Sequence, residues 1–300
     1  RRNVFKKMNN QNSEEYIEDQ IDLAVLFKAL FEGKWIIIGF TSIASIIVVI
    51  YSLSLPNIYK SEALLVPISS KESVGGNVSD LGGLASLAGI SLSDSSDNSA
   101  VAFEKLHSLS FFEEKILPQI NLPDLMAVES WEPSSNIISY DEEIYDDNEN
   151  VWTREISGLQ TPEPSAQESF KAFMEQMIIF KDIKTKLVTI GVKHQSPFIA
   201  KQWADLVISE INSFYREKDR SEATFAVSYL NGELSKTRLS EVKMVIAEVL
   251  AQQIQTLTLI EANANYVFDF IDPPAVMEKK SEPRRAIICI IGALLGGFIG

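Results

Sequence analysis

Two histidines, one cysteine, an acidic run and a Gly/Ser-rich stretch are the places where this 300-residue chain could do chemistry. His107 and His194 stand beside apolar neighbours in separate elements, and no histidine pair has metal-ligand spacing, so both read as structural residues. Cys289 lies inside an apolar run. Being the single cysteine, it permits neither an intrachain disulfide nor a thiolate cluster. Tyr140 to Asn150 (YDEEIYDDNEN) holds six acids, but the D-x-D-x-D-G order of a calcium loop is absent, and it reads as a solvated acidic loop. In Ser69–Ser99, Gly83 and Gly89 are separated by five residues with Ile90 where a phosphate loop needs lysine, and no Gly-x-Gly-x-x-Gly occurs. No Gly-x-Ser-x-Gly elbow is present either. The residues therefore assign no catalytic group, no cofactor and no metal.

The elements that position these residues divide sharply by charge. The net charge is −14, yet residues 1–34 carry six basic and six acidic side chains, so the whole deficit falls downstream. An acidic surface repels phosphate backbones, which argues against a nucleic-acid partner.

Trp35 to Leu55 (WIIIGFTSIASIIVVIYSLSL) is uncharged and long enough to span a bilayer as a helix, with Trp35 and Tyr51 near its ends. The acids before it (Glu14, Glu15, Glu18, Asp19, Asp22) do not suit a cleavable signal, so it reads as an anchor. Ala286 to Gly300 (AIICIIGALLGGFIG) has the start of a second span and is expected to continue past Gly300. Met8 is a candidate initiator. Gly292, Gly296 and Gly300 share one helix face, a spacing that lets membrane helices approach closely, although glycine is also common in such helices generally. Lys279, Lys280, Arg284 and Arg285 before the second run would alone suggest a cytoplasmic side. A loop of about 230 residues translocates regardless of charge, so charge counting leaves the orientation open.

Between the runs, Ile58 to Ile68 and Lys186 to His194 alternate as strands, the latter with Val188, Ile190 and Val192 to one side. Ala100–Leu117 and Ser165–Phe180 have helical spacing, and the stretch from Pro118 to Pro164 is irregular. Phe198 to Asn265 has no proline and one glycine, Gly232, and reads as a long helix, or as two or three with breaks near Lys218–Glu222. Its apolar stripe, Val242, Ile246, Val249 and Ile254, is expected to be covered by a neighbouring copy or by the same domain. Tyr266–Ile271 reads as a strand that joins Ile58–Ile68 in one sheet. Pro273 and Pro274 make a stiff exit, with Pro283 nearer the second run. The expected fold is an α/β (α+β) membrane-anchored domain: a small membrane-proximal mixed sheet with a long extended helix, flanked by two transmembrane helices. Its parts are an N-terminal segment (1–34), a first span (35–55), a large domain (56–285) and the start of a second span (286–300).

Ile21-Asp22-Leu23, Leu26–Leu30, Gly33-Lys34-Trp35, Pro56, Tyr59, Pro67 and Leu84–Ile90 resemble, in order and spacing, the polysaccharide co-polymerase family, specifically the O-antigen chain-length determinants of the Wzz type in Gram-negative bacteria. Ser196-Pro197, Ala200–Trp203, Tyr266-Val267-Phe268, Ile271-Asp272-Pro273 and Pro283–Ala286 extend the resemblance through most of the chain, while Val128–Thr161 matches none of it. The resemblance implies an inner-membrane protein with cytoplasmic termini and a periplasmic domain forming a homo-oligomer. It implies a non-enzymatic regulator of lipopolysaccharide chain length, acting with the membrane polymerase and the growing lipid-linked glycan. The alternative is the membrane and periplasmic part of a tyrosine autokinase for capsule or exopolysaccharide export, its kinase domain lying beyond residue 300.

Overall fold

The computed structural model describes residues 33–68, 98–263 and 265–299. The expectations for residues 1–32, for the Gly/Ser-rich loop up to residue 97 and for Gly300 lie outside them. In chain order the elements are α1 (Lys34–Ser54), β1 (Tyr59–Pro67), α2 (Asn98–Lys105), three short helical turns (Leu109–Phe111, Phe112–Ile116, Leu117–Gln119) and α3 (Leu122–Met126). Next come β2 (Val128–Glu132), β3 (Ile137–Tyr140), β4 (Tyr145–Asp146), β5 (Val151–Trp152), α4 (Ala166–Gln176), β6 (Met177–Lys181) and β7 (Val188–His194). The chain closes with α5 (Pro197–Lys236), α6 (Ser240–Ala262), β8 (Phe268–Asp272) and α7 (Arg285–Ile299). Two compact units result, one from residues 1–55 with 284–300, the other from Pro56–Pro283.

In the first unit α1 is apolar on every side, and Ile36, Ile43, Ile47 and Ile50 are all exposed. Thr41 donates to the Ile37 carbonyl and Ser45 to that of Thr41, each at 2.7 Å, while the buried Ser52 hydroxyl has no hydrogen-bond partner among the described residues. Among the described residues α1 is the one helix long and apolar enough to cross a membrane, whereas α7 is apolar but has 15 residues.

In the second unit a four-stranded sheet runs in the order β6-β7-β1-β8, with every pairing antiparallel. The expected mixed sheet is thus corrected. A short turn between β6 and β7 forces antiparallel pairing, and β1 and β8 run in opposite directions. The expected union of Ile58–Ile68 with Tyr266–Ile271 is present, since β1 pairs β8 from Leu64↔Asp272 to Pro67↔Phe268. Alternation puts Ala63 and Leu65 of β1, and Val188, Ile190 and Val192 of β7, in the core. Gly191 sits opposite Glu62, where a Cβ would come 2.6 Å from the Ser61 carbonyl oxygen, so no larger residue fits without a shift. Trp203, Ala204, Val207, Ile208, Ile211 and Tyr215 recur at helical spacing on α5 and cover this core together with Phe111, Phe112 and Ile116.

Asn212 fastens α5 to β8. Its Oδ1 accepts from the amides of Tyr266, Val267 and Phe268 at 3.1, 2.7 and 2.9 Å, and its Nδ2 donates to the Ile208 and Phe268 carbonyls at 3.1 Å.

The single long helix is also corrected. α5 has 40 residues, roughly 60 Å at 1.5 Å per residue, and ends at Thr237–Leu239 rather than near Lys218–Glu222. There α6 turns back antiparallel, so that Arg220 meets Glu261 at 2.7 Å. Neither proline nor glycine marks the turn. Thr237 and Leu239 take extended backbone, and the Thr237 amide and hydroxyl both donate to the Glu233 carbonyl. Similarly, the helix expected at Ser165–Phe180 stops at Gln176, where Met177–Lys181 is claimed by the sheet as β6. The one expected over Ala100–Leu117 breaks after Lys105 into short turns. The irregular stretch contains α3 and two small hairpins, β2-β3 and β4-β5.

Candidate functional site

Two glycines of α7 lie against α1. A Cβ on Gly292 would come 2.7 Å from a methyl of Val48, and one on Gly296 would come 2.6 Å from the Ala44 Cβ and 3.1 Å from the Thr41 backbone. Only hydrogen at these positions permits the approach. Arg285, in the first turn of α7, donates through Nε to the Ser52 carbonyl at 3.0 Å and through Nη2 to the Leu55 carbonyl at 3.2 Å. The last turn of α1 has no basic residue of its own, so this guanidinium satisfies carbonyls that the helix leaves open and opposes its dipole.

The segment between β8 and residue 283 is fastened along residues 57–61. Pro273 and Pro274 leave β8 in extended chain, after which Ser61 donates to the Ala275 carbonyl at 2.8 Å. Lys280 reaches Asn57 at 2.9 Å, and the Ile58 amide donates to the Glu282 carbonyl at 3.0 Å. Glu282 also pairs with Lys193 at 2.6 Å, and Pro283 follows across a cis peptide bond. All three predicted prolines therefore bracket one fastened return segment.

Beside that segment lies a cleft of about 300 Å³, lined by Pro56, Ile58, Asp124, Val128, Glu175, Lys193, Gln195 and Glu282 among others. His194 lies beneath it as a neutral ring: its Nε2–H donates to the Asp124 carbonyl, its Nδ1 accepts the Ser196 amide at 2.9 Å, and Trp203 packs on it. Burial holds its pKa below the ordinary value, so it is a structural residue. His107, exposed just beyond the end of α2, contacts the Phe103 carbonyl at 3.1 Å. No periodicity pointed to Glu175, Lys193, Gln195 or Glu282, because they come from three separate segments. The one signal was negative: polar residues at the ends of β7 and α4, where the apolar alternation stops.

The acidic run is locally organised. Tyr145 is buried between Tyr140 and Trp152, and Tyr140 donates to Asp124 at 2.6 Å. Downstream, Arg154 grips Glu168 through both guanidinium nitrogens at 3.1 and 3.0 Å, and Glu168 completes a capping box with Ser165 at the start of α4. The Arg154 hydrogen bonds lead in holding the Glu168 carboxyl down to about 2.

On α6 the expected stripe splits. Ile246 and Val249 are half-buried, whereas Val242 and Ile254 face outward; the residues that α6 buries are Leu250 and Ile260. Phe225 and Tyr229 on α5, with Met244 and Val245 on α6, are likewise exposed. Among the described residues no group of three or more His, Cys, Asp or Glu side chains could hold a metal ion.

Residues 19–114 match the family described as Wzz, chain length determinant protein. No curated protein sequence matches the chain. Among solved structures it is similar to a full-length bacterial polysaccharide co-polymerase, at 13% identity and a TM-score of 0.36, covering 94% of each chain. It is also similar to a fragment of WzzB, a polysaccharide co-polymerase from Salmonella Typhimurium, at 13% identity and a TM-score of 0.33, covering 75% of this chain and all of that one.

Proposed function

We propose that the chain is a Wzz-type chain length determinant and that it sets the length of O-antigen as a non-enzymatic partner of the membrane polymerase. The observation that carries this is the family match over residues 19–114, which takes in the first apolar helix and β1. The geometry supports it in two ways. The Ile58–Glu282 bridge joins, within the second unit, the points from which the chain leaves for its two apolar helices. Exposed apolar side chains on both long helices, Val242 and Ile254 on α6 and Phe225 on α5 among them, suit a neighbouring copy. On this reading both apolar helices cross the inner membrane, the Pro56–Pro283 unit is periplasmic, and a homo-oligomer presents a repeated surface to the polymerase or the growing glycan. Deleting the gene in its own host should replace a preferred polysaccharide length, seen as a cluster of bands on a gel, by a smooth decay. Restoring the gene should bring the cluster back, and an unchanged pattern after deletion would refute the function.

A further inference from the structure

The cleft beside the return segment has no assigned role, and its lining limits what it can hold. Three carboxylates, of Asp124, Glu175 and Glu282, face a single ammonium, Lys193, so a phosphate or another anion would be repelled. Its carboxylates do not converge with other ligands on a metal position. An acyl chain would strip water from Glu175 and from the half-exposed Lys193–Glu282 pair without replacing their hydrogen bonds. What remains is a neutral group that both donates and accepts and carries an apolar face.

We propose that this cleft binds one sugar ring of a neutral glycan, an inference that rests on the polysaccharide function above and adds a place of contact. Glu175 makes no hydrogen bond or ion pair among the described residues and is free to accept from a hydroxyl. Gln195 donates through Nε2 to the Val128 carbonyl at 3.2 Å and keeps its side-chain carbonyl oxygen for a second hydroxyl. Lys193, fixed by Glu282 at 2.6 Å, supplies donors from the facing wall. Ile58 and Val128 give an apolar surface for the C–H face of the ring. A volume of about 300 Å³ is at the small end of ligand sites, the size for one ring rather than a chain of them. The site lies where the chain departs for α1, since Pro56 and Ile58 belong to its lining.

The test uses the full chain in detergent and, as probe, the oligosaccharides released by mild acid from the host's own polysaccharide, with inorganic phosphate as comparator. Saturation-transfer NMR should show contact with the oligosaccharides that added inorganic phosphate does not diminish. Glu175→Ala, a surface change that leaves every hydrogen bond named here intact, should reduce the transfer at least threefold, and Gln195→Glu should reduce it as well. In cells the Glu175→Ala chain should shift the preferred polysaccharide length relative to the wild type. Absent transfer, transfer undiminished in both variants, or displacement by phosphate would overturn the site. If gene deletion abolishes the preferred length while Glu175→Ala keeps it at the wild-type value, the cleft inference fails and the length-regulating function stands. If deletion changes nothing, the function fails, and the NMR result decides the sugar site by itself.

Discussion

Replacing Asn212 by leucine keeps the branching at Cγ and removes both ends of the amide that fastens α5 to β8. Val267 and Phe268 are almost fully buried, and their amides have Asn212 Oδ1 as acceptor at 2.7 and 2.9 Å. A buried donor left without a partner costs about 1–3 kcal/mol, so the two together cost about 2–6. The Tyr266 amide is half-buried and can turn to water, which adds little. A loss of about 4 kcal/mol is thus expected, a large share of the roughly 5–15 kcal/mol that holds a typical domain. Urea unfolding of the detergent-solubilised chain, followed by tryptophan fluorescence, gives the measurement. With a slope of roughly 2–3 kcal/mol/M the midpoint should fall by about 1.5 M and the slope should stay constant. Asn263→Leu is the comparison, because Asn263 is exposed and bonds only its own helix at the Leu259 carbonyl; it should move the midpoint little. An Asn212→Leu midpoint within about 0.3 M of the wild type would show that these amides find other acceptors, and the reasoning would fail.

Three further outcomes follow from the same geometry. With Cys289 changed to serine, cysteines at Thr41 and Gly297, whose Cβ would lie 3.5 Å from the Thr41 hydroxyl, should oxidise to an intramolecular disulfide, and adding Gly292→Leu should prevent it on a non-reducing gel. His194 titrates below its ordinary value in the folded chain because it is buried, so the unfolded chain binds its proton more readily. Its contribution to stability is complete above about pH 6.5 and is lost as pH falls below that toward the folded value; His194→Asn should flatten this part of a stability-against-pH curve. Arg154→Ala should raise the Glu168 carboxyl from about 2 toward its ordinary range, read by carboxyl NMR. The stability that this pair gives above about pH 4.5, lost in the wild type as pH falls toward 2, should then be missing, and proteolysis should cut faster between residues 153 and 165.

Where a local pattern and the tertiary fold agree, the sequence was readable. Val188, Ile190 and Val192 alternate because one face of β7 is core, and the union of β1 with β8 followed from two strands placed at the two ends of one domain. For Gly292 and Gly296 the sequence left close packing and the general frequency of glycine in apolar helices side by side, and their approach to α1 is visible only in three dimensions. The turn at Thr237–Leu239 was hidden, since the apolar spacing continues through it and the stop depends on a threonine bonding back to Glu233. Met177–Lys181 carried a helical pattern inherited from α4, and pairing with β7 overrode it. The outward position of Val242 and Ile254 depends on how α6 rolls against α5, which periodicity cannot choose among several apolar faces. Asn212 and the cleft were beyond reach for a related reason. Their meaning lies in partners more than fifty residues away, such as Val267 for Asn212 and Glu282 for Lys193.

The most direct test of length regulation is the gel-resolved distribution of polysaccharide made by a strain that has the polymerase but lacks its own determinant. Expressing this chain there should gather the products into a narrow preferred range, and the Asn212→Leu chain should do so less sharply in proportion to its lost stability. A distribution that decays smoothly with length, the same with and without the chain present at normal levels in the membrane, would contradict the account.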